Sequence, residues 1–150
     1  MERIMKDISR VYRATWINRD EAFPELGLTG IQVGYINLIC KYPGTTQDEL
    51  AKWLFVNKSS VTRQVCQLKE MGFITRETCP EDKRAKRLYP TEKAKEIFPQ
   101  INRHFEEWND ILTGSLSPED QEKLLELLKH LAREATDHVD HPLAQLEERL

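Results

Sequence analysis

Thr46-Gln47-Asp48-Glu49-Leu50-Ala51-Lys52-Trp53-Leu54-Phe55-Val56-Asn57-Lys58-Ser59-Ser60-Val61-Thr62-Arg63-Gln64-Val65-Cys66-Gln67-Leu68-Lys69-Glu70-Met71-Gly72 is the stretch that decides how this chain folds. Thr46 followed three residues later by Glu49 has the form of a capping box, in which a hydroxyl and a carboxylate satisfy the free amides at a helix start. A short helix through about Leu54 follows. Phe55-Val56 interrupts the pattern, and Asn57 carries a side-chain oxygen suited to capping a second helix, which runs to about Met71. Gly72 ends it, because glycine takes the left-handed conformation that closes a helix C-terminus. With Val61, Val65 and Leu68 facing inward, a step of 100° per residue sets Ser59, Arg63, Cys66 and Gln67 on the opposite face, with Lys58 and Thr62 beside it.

Working outward from there, Phe73 to Glu77 and Arg87 to Tyr89 read as two short strands. The charged turn Cys79-Pro80-Glu81-Asp82-Lys83-Arg84-Ala85 joins them into a hairpin with a basic tip. Two short helices joined by a tight turn and followed by such a hairpin are the sequence form of a winged helix-turn-helix. Upstream, Ile4, Ile8, Val11, Tyr12, Thr15 and Trp16 give residues 1–22 a helical period, and a second helix begins near Thr29, carries Val33, Ile36, Ile39 and Cys40 inward, and stops at Tyr42-Pro43-Gly44. Downstream, Ile97, Ile101, Phe105, Trp108 and Leu112 mark a long helix, expected to bend at Pro99. A further helix restarts at Ser117-Pro118-Glu119 with Leu124, Leu128, Leu131 and Ala135. Leu143, Leu146 and Leu150 behind Pro142 suggest a last short helix. The expected fold class is mainly α with a small β-hairpin wing, as one domain over residues 1–150. Its winged helix-turn-helix lobe covers about residues 28–95, between terminal helices at about 1–22 and 96–150.

A length of 150 residues suits one compact unit per subunit. No window approaches the roughly 18 apolar residues of a membrane span, and the chain start does not lead into a short apolar signal segment, so the expectation is a cytoplasmic protein away from membranes. Cys40, Cys66 and Cys79 are odd in number and widely spaced, which fits reduced thiols. The net charge of -3 hides an asymmetry: residues 46–95 hold 11 Lys/Arg against 7 Asp/Glu, a balance of +4, and the remainder carries -7. A protein with one face toward phosphate and the rest kept soluble needs that distribution.

The outer face of the second helix offers what a major groove can read. Arg donates two hydrogen bonds to guanine, Gln suits adenine, and hydroxyls reach base edges or phosphates. Arg63 is the leading base reader. The helix start at Asn57, Lys58 and Ser59 aims free amides and a partial positive charge at the phosphate backbone. Ser60, Thr62, Gln64 and Gln67 complete the candidate DNA-binding set on this helix. In the hairpin, Lys83, Arg84, Lys86 and Arg87 cluster within five residues, with Arg84 best placed to enter a minor groove. Asp82 is expected to orient a wing arginine by a charge-assisted hydrogen bond. Oxidation of Cys66 on the exposed face would add bulk and charge against DNA. No nucleophile and base pair, phosphate loop or metal-binding helix motif supports an enzyme, and no cofactor is called for. His130, His138 and His141 near Asp137 and Asp140 lack a metal-ligand spacing, so no metal site is assigned. A winged helix also serves in protein or RNA recognition, which is the alternative to an operator-binding protein.

These residues resemble the MarR family of bacterial regulators. The match runs through Glu49-Leu50-Ala51, Ser59-Ser60-Val61-Thr62-Arg63 and Leu68-Lys69-Glu70-Met71-Gly72-Phe73-Ile74. It continues through the wing at Pro80, Asp82 and Arg84, and into Thr91-Glu92-Lys93. Pro90 stands where the family usually has leucine, Ala94 where glycine is common, and Phe55 where a helix-turn-helix turn often has glycine. The resemblance covers nearly the whole chain. It implies a homodimer with interlocked terminal helices, which here would be the dimerisation helices, and two recognition helices set on a palindromic double-stranded DNA operator. Long helices with apolar faces and too little core of their own agree with a two-fold partner. The resemblance also implies a repressor released by a small aromatic or phenolic effector, for which Tyr12, Trp16, Tyr35, Phe105 and Trp108 are the candidate pocket, with core packing as the other role for these rings. Redox-sensing members carry their reactive cysteine in the first helix, and this chain has none before Cys40.

Overall fold

The structure is a computed structural model in which residues 3–139 are described. Helix α1 (Met5–Asp20) leads through a 3-10 turn (Pro24–Leu26) into α2 (Gly30–Lys41), and β1 (Thr45–Thr46) into α3 (Gln47–Trp53) and α4 (Lys58–Glu70). Strands β2 (Ile74–Thr78) and β3 (Lys86–Pro90) precede the long helices α5 (Glu92–Thr113) and α6 (Pro118–His138). The three strands form one antiparallel sheet in the order β1-β3-β2. The winged helix-turn-helix expected from the sequence is therefore present, and the two-residue strand β1 is an addition to it. Two residues are too few to show the alternation by which a strand is recognised.

The caps expected at Thr46 and Asn57 form, and α2 and α5 carry threonine caps as well. Thr29, Thr46 and Thr91 cap α2, α3 and α5, and both Thr29-Gln32 and Thr46-Glu49 close full capping boxes. Gly72 ends α4 with φ +80°. Its carbonyl accepts from the Thr91 hydroxyl at 2.7 Å, and the Thr91 amide reaches the Phe73 carbonyl at 3.0 Å, so the end of α4 and the start of α5 are tied together. Phe55, in the turn between α3 and α4, holds φ +53°. That is the left-handed conformation glycine would accept more easily at this turn.

The core lies between the lobe and the first half of α5, where Val33, Ile36, Ile39, Leu50, Val61, Val65, Leu68, Phe73, Leu88 and Ile101 have no exposed surface. Burial fades along α5, from Ile97 and Ile101 in the core through half-buried Phe105 and Trp108 to exposed Ile111 and Leu112. Helix α5 continues through Pro99 as one element. Helices α1 and α6 hold no buried residue, and Ile4, Val11, Tyr12, Leu124, Leu125, Leu127, Leu128 and Leu131 are exposed in the single chain. The α1 face that the helical period turned inward is thus only partly covered, at Ile8, Thr15 and Trp16. The expected helix at Leu143–Leu150, with His141 and Asp140, falls outside the described residues.

Candidate nucleic-acid interface

Helix α4 is built to expose one face. Its core stripe of Val61, Gln64, Val65 and Leu68 follows the i, i+3, i+4, i+7 spacing, leaving Lys58, Ser59, Thr62, Arg63, Cys66 and Gln67 exposed. Gln64 corrects the sequence reading: polarity put it in the DNA-facing set, but its position in the stripe buries it, and its Oε1 has no hydrogen-bond partner among the described residues.

The start of α4 is organised by Asn57. Its Oδ1 accepts from the Ser60 amide and the Ser59 hydroxyl, each at 2.8 Å. That leaves further first-turn amides directed outward from the positive end of the helix dipole. Ser60 itself is half-buried. Lys58 pairs with Asp48 at the start of α3 at 2.9 Å, an exposed contact of small energy that a phosphate can displace. The Thr62 hydroxyl has the Lys58 carbonyl at 3.0 Å and Gln47 Oε1 at 3.1 Å as acceptors. Arg63 is exposed and has no ion pair among the described residues. Its charge reaches the buried Tyr35 hydroxyl. Burial pushes that phenol up to about 12, and Arg63 opposes the shift only in part.

The four basic residues of the wing divide into two pairs. Lys83 and Arg84 are exposed at the tip. Lys86 donates to the Thr78 hydroxyl at 2.8 Å across the hairpin, and Arg87 donates to the Gly44 carbonyl at 3.0 Å, fastening the sheet to the end of α2. Asp82 accepts from the backbone amide of Arg84 at 2.9 Å, so it shapes the turn and leaves the guanidinium free, where a side-chain pair was expected. A notch of about 160 Å³ lies between the start of α3 and the wing, lined by Thr46, Gln47, Asp48, Arg84, Ala85 and Lys86.

The aromatic residues singled out for a pocket also separate. Tyr12 and Trp16 meet edge-on with centroids 5.8 Å apart, and Trp108 donates to the Thr15 hydroxyl at 2.9 Å across the seam between α1 and α5. Arg19, which the sequence reading passed over, lies over Trp16 at 5.4 Å and Phe105 at 4.5 Å. Its Nε is buried without a hydrogen-bond partner among the described residues, and burial pulls its pKa down. The signal was its place one turn after Trp16. Tyr35 does not join this group, because α2 carries it into the core beside Arg63. A cavity of about 270 Å³ opens beside Phe105, between Lys41 and Asn102, Glu106, Asn109 and Asp110, and none of the other four rings lines it.

An exposed, capped helix beside a hairpin with a basic tip defines a winged helix-turn-helix protein. The MarR family model matches residues 26–85, the span from before α2 into the wing. The chain is 33% identical to the HTH-type transcriptional regulator BilQ of Clostridium symbiosum over 77% of its length and 82% of that protein. Its fold matches the crystal structure of the transcriptional regulator SlyA with TM-score 0.86 and 30% identity, covering 89% of this chain and 94% of that one. It also matches a MarR family regulator of Listeria monocytogenes complexed with a 26mer DNA, with TM-score 0.88 and 28% identity over 91% of each chain. This chain belongs to the MarR family, and is a transcriptional regulator and not an enzyme. No helix among the described residues is long and apolar enough to cross a membrane.

Proposed function

We propose that this protein is a sequence-specific double-stranded DNA-binding repressor that grips a palindromic operator as a homodimer and is released by a small aromatic or phenolic effector. The observation that carries the DNA reading is the coincidence of Arg63 on α4 with Lys83 and Arg84 on the wing tip, all exposed in one lobe and without an ion pair among the described residues. Arg63 reads base edges, the amides at the start of α4 hold phosphate, and the wing tip grips the neighbouring backbone or minor groove. The dimer reading rests on the uncovered apolar residues of α1, α6 and the end of α5, which a second copy would bury. Two recognition helices then meet half-sites about one DNA turn, roughly 10 bp, apart.

The effector reading rests on Arg19, a guanidinium held between Trp16 and Phe105 with no carboxylate partner among the described residues. A ring entering that seam stacks on the aromatics, and its hydroxyl or carboxylate meets the guanidinium. A ligand there pushes on α1 and α5 and thereby moves the lobe.

Selection of bound sequences from a random duplex pool tests the DNA reading. A recovered palindrome supports it, and a pool without enrichment overturns it. On the recovered site, Arg63→Ala relaxes preference at one position per half-site, while Arg84→Ala lowers affinity evenly and flattens the salt dependence.

A further inference from the structure

Gln67 lies one helical turn beyond Arg63 on the exposed face of α4, and its carboxamide is engaged from the inner side. Its Oε1 accepts from Gln32 Nε2 at 3.2 Å, a contact across 35 residues of sequence between α2 and α4. Carboxamide oxygen and nitrogen are alike in shape, so the direction of such a bond has to follow from the surrounding network. Here it does. Gln32 is the third residue of α2, and its Oε1 is committed to the Thr29 backbone amide at 3.0 Å, one half of the capping box. The other half is the Gln32 amide donating to the Thr29 hydroxyl at 3.3 Å. A backbone N–H only donates, so Gln32 must turn its oxygen to Thr29 and its nitrogen away. Gln32 is 5% exposed, which leaves that nitrogen Gln67 as its acceptor. The orientation therefore passes from Thr29 through Gln32 to Gln67, whose oxygen is taken up by Gln32 and whose Nε2 is the end left to donate elsewhere.

We infer that Gln32 is a positioning residue for DNA recognition, fixing Gln67 so that it presents an amide donor to a base edge. The inference rests on the DNA reading above. A donor held outward suits the acceptors of guanine (O6, N7) or thymine (O4) and meets a like group at the N4 amine of cytosine. Gln32 never touches the DNA, yet it decides which bases Gln67 accepts. The α2 capping box is thus connected to specificity on another helix.

Gln32→Glu tests this, because glutamate completes the same capping box. The carboxylate still accepts from the Thr29 amide, but its second oxygen cannot donate to Gln67. Gln67 then turns over, gives its nitrogen to the carboxylate and shows its oxygen to the DNA. Gln67→Glu reaches the same outward acceptor by another route, at an exposed position with little bearing on folding. Duplex-pool selection with wild type and both variants, each first shown to melt cooperatively, reads the outcome. At one position per half-site, the ratio of cytosine to guanine plus thymine is expected to rise about tenfold in both variants, with the other positions unchanged. A merely structural role for Gln32 would lower affinity without moving one base preference. An enriched site identical in all three proteins overturns the inference and leaves the DNA reading standing. No enrichment with wild type overturns the DNA reading itself.

Discussion

Asn57→Asp separates the stability of the recognition helix from its contact with DNA. The cap at Asn57 is made by Oδ1 alone, through two contacts of 2.8 Å, and aspartate supplies the same oxygen. The added negative charge sits at the positive end of α4 and stabilises the fold by about 0.3–1 kcal/mol. The same charge faces the phosphates if the start of α4 is docked on DNA. At about 6 Å from one phosphate and an effective dielectric of about 40, the repulsion is about 1.4 kcal/mol, or about tenfold in affinity for each recognition helix. At 0.1 M salt, screening reduces that to about threefold. Thermal melting and fluorescence anisotropy on the selected duplex, at low and moderate salt, measure both quantities. The variant is expected to melt higher and bind more weakly, with the deficit shrinking as salt rises. A variant that melts higher and binds DNA as tightly as wild type at low salt would refute the docking of this helix start on phosphate.

Leu68→Ala removes a fully buried side chain from the inner face of α4, and about 2–5 kcal/mol of stability should be lost, read as a fall in the urea midpoint. Gly30→Ala places a Cβ 2.8 Å from the Cβ of Arg19 and 3.1 Å from the Asp20 amide, at the joint where the Gly30 amide donates to Asp20 at 2.6 Å. Overpacking there should cost about 1–3 kcal/mol in the same assay, and an unchanged midpoint would show that α1 can shift freely against α2. His104 is held below its ordinary pKa chiefly by burial, with Arg19 adding to the shift and Glu107 opposing it. The fold thus favours its neutral form, so its contribution is complete above about pH 6.5 and is lost as pH falls below that. Between pH 7.5 and 5.5 wild type should lose more stability than His104→Gln, and parallel pH profiles would remove His104 from the account.

The lobe was legible because its signals are local. Thr46, Glu49 and Asn57 cap through residues three positions away, and Gly72 closes α4 by its own backbone freedom. What the sequence concealed depends on partners distant in the chain. Gln64 looks like a surface residue until Val61, Val65 and Leu68 fix the stripe it belongs to. Lys86 and Arg87 look equivalent to Lys83 and Arg84 until strand pairing brings Thr78 and Gly44 to them. Asp82 was recognised as an organiser of the wing, but whether it holds a side chain or an amide is decided by the turn. Arg19 and Gln32 drew no notice because each takes its meaning from another helix, α5 in one case and α4 in the other.

Amide hydrogen exchange on the protein, alone and saturated with the selected duplex, tests the central claim most directly. Slowed exchange at the start of α4, residues 57–63, and at the wing tip, residues 82–85, is the predicted result. Unchanged exchange at both segments, with protection appearing elsewhere, would contradict the assignment of this surface to DNA.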